Sequence, residues 1–76
     1  MELSEKLYLL RKHVGYSQEY MAQKLNVSQS TYNRMEKNLK KISIEDVEKI
    51  CEALQLDIHA FLQKDNISTL LKALPK

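Results

Sequence analysis

The stretch SQSTYNRMEK, residues 28–37, has the side chains that could do the most specific chemistry in this chain. At helical spacing, Gln29, Ser30, Asn33 and Arg34 share one face, while Tyr32 and Met35 share the other. Glutamine and asparagine carry a donor beside an acceptor and match adenine through two hydrogen bonds, and arginine matches guanine in the same way. Ser30 and Thr31 add hydroxyls, and the Thr31 methyl suits thymine. One reading is a helix whose polar face meets base edges and whose apolar face is core. Taken alone, the pattern also describes any solvated helix face, so the elements around it matter.

Phosphate contacts are expected on both flanks of that helix. Gln18 opens the preceding helix, where free backbone N–H groups and the dipole favour an anion. Thr31 lies on the polar helix itself, and Asn38, Lys40 and Lys41 follow it, with Lys37 a weaker candidate. Such contacts position a protein on a duplex without reading its sequence. Charge distribution points the same way. Residues 1–41 hold eight basic and four acidic side chains, and residues 42–76 hold four and six, within a net charge of +2.

Other chemistries find little support. With Gly15 as the single glycine, neither a P-loop nor a dinucleotide-binding loop can be written, and no G-x-S-x-G elbow occurs. His13, His59 and Cys51 lie too far apart for a metal-ligand motif. The expectation is a non-enzyme without cofactor or metal. Cys51 falls in the apolar rhythm of a helix and reads as a buried thiol. The N-terminal MELSEK has no apolar leader core, and no apolar run approaches a membrane span, so a cytoplasmic protein is expected.

The elements that must hold the polar helix are themselves helical. One glycine and one proline, with no strict apolar alternation, favour an all-α chain. Leu3, Leu7, Leu10 and Val14 predict a helix over 3–14, stopped by Gly15. Four times an apolar residue precedes a polar cap and an apolar residue follows one turn later: Tyr16-Ser17, Val27-Ser28, Ile42-Ser43 and Leu56-Asp57. These are N-caps with hydrophobic staples, and Asp46 completes a capping box with Ser43. They predict helices over 17–25, 28–37, 43–54 and 57–63. Ile44, Val47, Ile50, Cys51 and Leu54 form the expected buried stripe of the fourth. A last segment, 66–74, carries Ile67, Leu70, Leu71 and Leu74 on one face before Pro75. Asn26 separates the second and third helices where positive φ is needed, with Val27 expected to plug the core beneath the turn and the small Ala22 to admit a close crossing. The division expected is a domain over 1–64 and a helical extension over 65–76.

"LRKHVGYSQEYMAQKLNVSQSTYNRMEKN" followed by "ISIEDVEKICEALQLDIHAFL" resembles the phage-repressor/Cro-like helix-turn-helix domains of the XRE type, over residues 7–62. Asn26 stands for the more usual Gly, Tyr32 for Ile or Val, and "KNLKKIS" lacks the common proline after the third helix. The resemblance implies a five-helix repressor-like bundle that binds double-stranded DNA and regulates transcription. It implies a phosphate contact at Gln18 and a structural ion pair between Arg11 and Glu36. It also implies a homodimer, with recognition helices about 34 Å apart on a pseudo-palindromic site. The interface is then expected from His59, Phe61, Leu62, Leu70 and Leu74, unless the last stripe folds back on the first helix and completes the core. The short chain fits a simple concentration-dependent repressor or autoregulator. The alternative is a protein-interaction module, an antitoxin or adaptor with a protein partner.

Overall fold

The computed structural model describes residues 1–63 and 67–74. It holds six helices: α1 (Leu3–Val14), α2 (Gln18–Leu25), α3 (Gln29–Glu36), α4 (Ile44–Leu54), α5 (Ile58–Leu62) and α6 (Ile67–Ala73). All five sequence-derived starts within the described residues fall within one residue of the structure's, since Ser17, Ser28, Ser43 and Asp57 are caps rather than first residues. Ser17 accepts from the Tyr20 amide, Ser28 from Thr31, Ser43 from Asp46 and Asp57 from Ala60. The Asp46 carboxylate accepts the Ser43 amide and closes the capping box. The expected start at 66 and the stop at Pro75 lie outside the described residues.

Helix ends obey one rule that the sequence states only in part. After α1, α2, α3 and α4 a residue turns left-handed, and the next amide donates five residues back: Tyr16 to Arg11, Val27 to Ala22, Leu39 to Arg34, Leu56 to Cys51. Gly15 and Asn26 take the left-handed position as expected. Asn38 and Gln55 also take it, at φ 59° and 58°. Asn38 has no apolar–cap pair directly after it to mark the turn, and glutamine is an uncommon left-handed residue.

The core gathers Leu7, Leu10 and Val14 of α1, Met21, Ala22 and Leu25 of α2, Tyr32 and Met35 of α3, Val47, Ile50, Cys51 and Leu54 of α4, and Phe61 of α5. Val27 packs against it from the α2–α3 turn, as expected. Ile44 does not. It is 64% exposed, because at the first position of α4 it overhangs the bundle, and Ile42, just before the cap, packs on the core instead.

The last stripe also ends inside. Helix α6 packs against α1, with Leu70 and Leu74 buried. Phe61 is fully buried too. These three expected interface residues are therefore part of the core within the single chain, whereas His59 and Leu62 stay at the surface. Lys6 is an interior residue that apolar periodicity does not reveal. Its side chain is buried, and Nζ donates to the Phe61 and Gln63 carbonyls at 2.6 Å each, at the C-terminal end of α5. A buried ammonium is tolerable only with such acceptors. No helix among the described residues is long and apolar enough to cross a membrane.

The φ of 58° at Asn26 sets the angle between α2 and α3. Asn26→Ala should cost about 1 kcal/mol through the left-handed penalty, whereas Asn26→Gly should leave stability nearly unchanged. Urea midpoints at constant slope measure both. Equal losses would place the effect in the asparagine side chain instead of the backbone.

Candidate nucleic-acid interface

Helix α3 has eight residues, too few to persist alone in water. Three things hold it. Tyr32 and Met35 are fully buried. Ser28 caps its start, with its hydroxyl also reaching the Thr31 hydroxyl at 2.9 Å. Its last residue, Glu36, is clamped by α1. Arg11 Nε donates to Glu36 Oε2 at 2.5 Å and Nη2 to Oε1 at 3.1 Å, while Nη1 donates to the Tyr16 carbonyl at 2.8 Å. The two side chains are 9% and 3% exposed, so the pair is buried.

Charge within this cluster is mutually maintained. Burial alone would push the Glu36 carboxyl upward, but bonds from Arg11 and Gln18 and the nearby Tyr32 hydroxyl hold it below the ordinary carboxylate value. The hydrogen bond to Glu36 raises Arg11, which stays cationic. Tyr32 is pushed up by burial first and by the Glu36 charge next. Its hydroxyl lies near that carboxylate, yet finds no partner at good hydrogen-bond geometry among the described residues. Cys51 is pushed up to about 11, by burial and then by Asp57, which fits an unreactive core thiol.

The sequence-derived reading face is only partly free. Gln29, Ser30 and Arg34 are exposed. Arg34 makes one long contact, 3.5 Å, to the Leu39 carbonyl. Asn33 is half-buried, and its Nδ2 donates to Gln18 Oε1 at 3.2 Å. Gln18 is half-buried in turn, and its Nε2 donates to Glu36 Oε1 at 3.1 Å. The fold thus joins Arg11, Glu36, Gln18 and Asn33 into one row, which periodicity cannot reveal because its members come from three helices. Each carboxamide keeps one N–H for another partner.

On the far flank, Asn38, Lys40 and Lys41 are exposed just past α3, with Lys37. Asn38 and Lys41 share a groove of about 400 Å³ with Glu2, Leu3, Ser4 and Ile42, at the start of α1. With Gln18 before it in the chain and these residues after it, the candidates flank a short polar helix that is joined to α2 through the turn at Asn26.

Breaking the Arg11–Glu36 pair leaves a buried charge, so Arg11→Met should cost about 3–5 kcal/mol. A domain of this size holds roughly 4–11 kcal/mol in total, so thermal unfolding should drop steeply. A loss under about 1 kcal/mol would mean that the pair behaves as a surface one. The pH dependence has a definite sign. Glu36 sits below its unfolded value of about 4.3, so its contribution is complete above that value and is lost as pH falls through the lower folded one. Glu36→Gln should remove that part of the acid limb from a stability–pH curve, and an unchanged limb would clear Glu36 of the role.

The family model for helix-turn-helix proteins matches residues 7–61. No curated protein and no solved structure matches the chain significantly. The match spans the whole of α2, α3 and α4 and most of the flanking helices, so the chain belongs to the XRE-type helix-turn-helix family of DNA-binding regulators.

Proposed function

We propose that this chain is a dimeric repressor or autoregulator that reads a pseudo-palindromic operator with α3 in the major groove. The observation that carries this reading is the two-sidedness of α3. Tyr32 and Met35 are wholly buried, while Gln29, Ser30 and Arg34 stand in solvent on a helix clamped at both ends. Preset donors and acceptors on a fixed helix are what base-edge recognition needs. Gln29, Ser30, Asn33 and Arg34 read bases. Gln18, Thr31, Asn38, Lys40 and Lys41 hold phosphates on either side. Because eight residues span few base pairs, two copies are needed for a useful site. Exposed His59 and Leu62 remain available to that contact.

Selection from a random duplex pool at about 150 mM salt, where non-specific binding is weak, tests the whole reading. A two-fold symmetric motif with half-sites about one helical turn apart is expected. A single asymmetric half-site would keep base reading and discard the dimer. No enrichment would discard base reading itself and favour a protein partner.

Individual contacts separate by their signature. Arg34→Ala should weaken the selected site by about 1–3 kcal/mol and relax one base position, and Lys41→Ala should weaken all sequences alike and lower the salt slope by about one. Binding isotherms over a salt series decide between them. Uniform loss for Arg34→Ala would make Arg34 a phosphate contact, and an unchanged slope would remove Lys41 from the phosphate set.

A further inference from the structure

The row from Arg11 to Asn33 has a direction. A guanidinium only donates and an ionised carboxylate only accepts, whereas a carboxamide can turn either end to a neighbour. Glu36, already accepting twice from Arg11, can offer Gln18 nothing but an acceptor. Gln18 therefore turns its nitrogen to Glu36, at 3.1 Å, and is left with its oxygen toward α3. That oxygen can be met only by a donor, so Asn33 turns its nitrogen inward, at 3.2 Å. With the nitrogen branch held, Oδ1 lies on the opposite branch of the amide. The charge of Arg11 thus fixes, two carboxamides away, which end of Asn33 is free.

We propose that this row sets the base read at Asn33. Asn33 offers Oδ1 to the groove and so selects a base with an exocyclic amino group there, adenine or cytosine. It disfavours guanine and thymine, whose corresponding groove atoms are keto oxygens. Adenine is preferred of the two, because the second Asn33 N–H can also reach its N7. Gln18 and Glu36 are positioning residues that act through Asn33. The proposal rests on the reading of α3 as the groove helix.

The test repeats the random-duplex selection with the wild type, Asn33→Ala, Gln18→Met and Glu36→Gln. The position that Asn33→Ala erases should show amino over keto bases by at least about fivefold in the wild type. Gln18→Met leaves Arg11 and Glu36 paired but frees Asn33 to turn. It should flatten that one position to below about twofold while the Arg34 position keeps its preference. Glu36→Gln, which can present either end, should flatten it likewise, and if that variant does not fold, Gln18→Met decides alone. A keto base at the Asn33 position, or a preference that survives Gln18→Met, overturns the proposal and leaves DNA reading intact.

If the wild type enriches no motif, the proposal falls with the DNA reading. Side-chain amide exchange in the free protein then identifies the failed link. Slow exchange at Asn33 Nδ2, made several-fold faster by Gln18→Met, means the row stands and the groove assignment failed. Fast exchange in both proteins means the row itself is absent.

Discussion

The structure depends most on the buried pair of Arg11 and Glu36. Glu36 is the last residue of the polar helix, and Arg11 belongs to the helix that lines the core with Leu7, Leu10 and Val14. A helix of eight residues with a polar outer face does not persist alone, and its two buried side chains anchor it without a directional bond. The pair supplies what packing does not, which is a fixed rotation about the α3 axis. Arg11 also donates to the Tyr16 carbonyl, so the same guanidinium secures the turn that leads into α2. Both helices of the helix-turn-helix unit are thereby referred to one residue of α1.

Burying two charges is not a cheap way to stabilise a fold, since apolar replacements of the same shape often do as well. What a charged pair offers and an apolar one does not is direction. Tyr32, fully buried beside it, underlines the point. An aliphatic residue there would pack without a polar atom, whereas the Tyr32 hydroxyl adds polarity next to Glu36. The site accepts an unpartnered hydroxyl, among the described residues, at the place where the carboxylate needs stabilising. Buried polar contacts cluster around α3, while elsewhere among the described residues the buried polar side chains are Ser4 and Lys6.

How far this was legible in the sequence depends on range. Helix starts were legible, because a cap and its partner lie three residues apart and their chemistry is local. The stops at Gly15 and Asn26 were legible because an apolar–cap pair directly follows each, while Asn38 is followed by Leu39-Lys40 with no cap and Gln55 is a poor left-handed residue. Ile44 matched the apolar period, but a period cannot say where the neighbouring helices end. Lys6 was hidden because its acceptors, the Phe61 and Gln63 carbonyls, are more than fifty residues away. Of the candidate interface, residue types and one-helix geometry were legible. The bonds that tie Gln18 to Glu36 and Asn33 were not, because they cross between helices and follow only from packing.

Helix α1 emerges as the spine through which distant parts of the chain meet. It carries Arg11 toward α3, Lys6 toward the end of α5, and the face on which α6 lays Leu70. Lys6 and Arg11 lie five residues apart on α1, less than two turns of one rigid rod. Anything that shifts α1 along or about its axis is therefore felt at Glu36, and from there at Gln18 and Asn33. The C-terminal helix, which packs on α1, bears on the polar face through that rod. A single small core leaves no slack between the two, because close-packed side chains transmit a displacement instead of absorbing it.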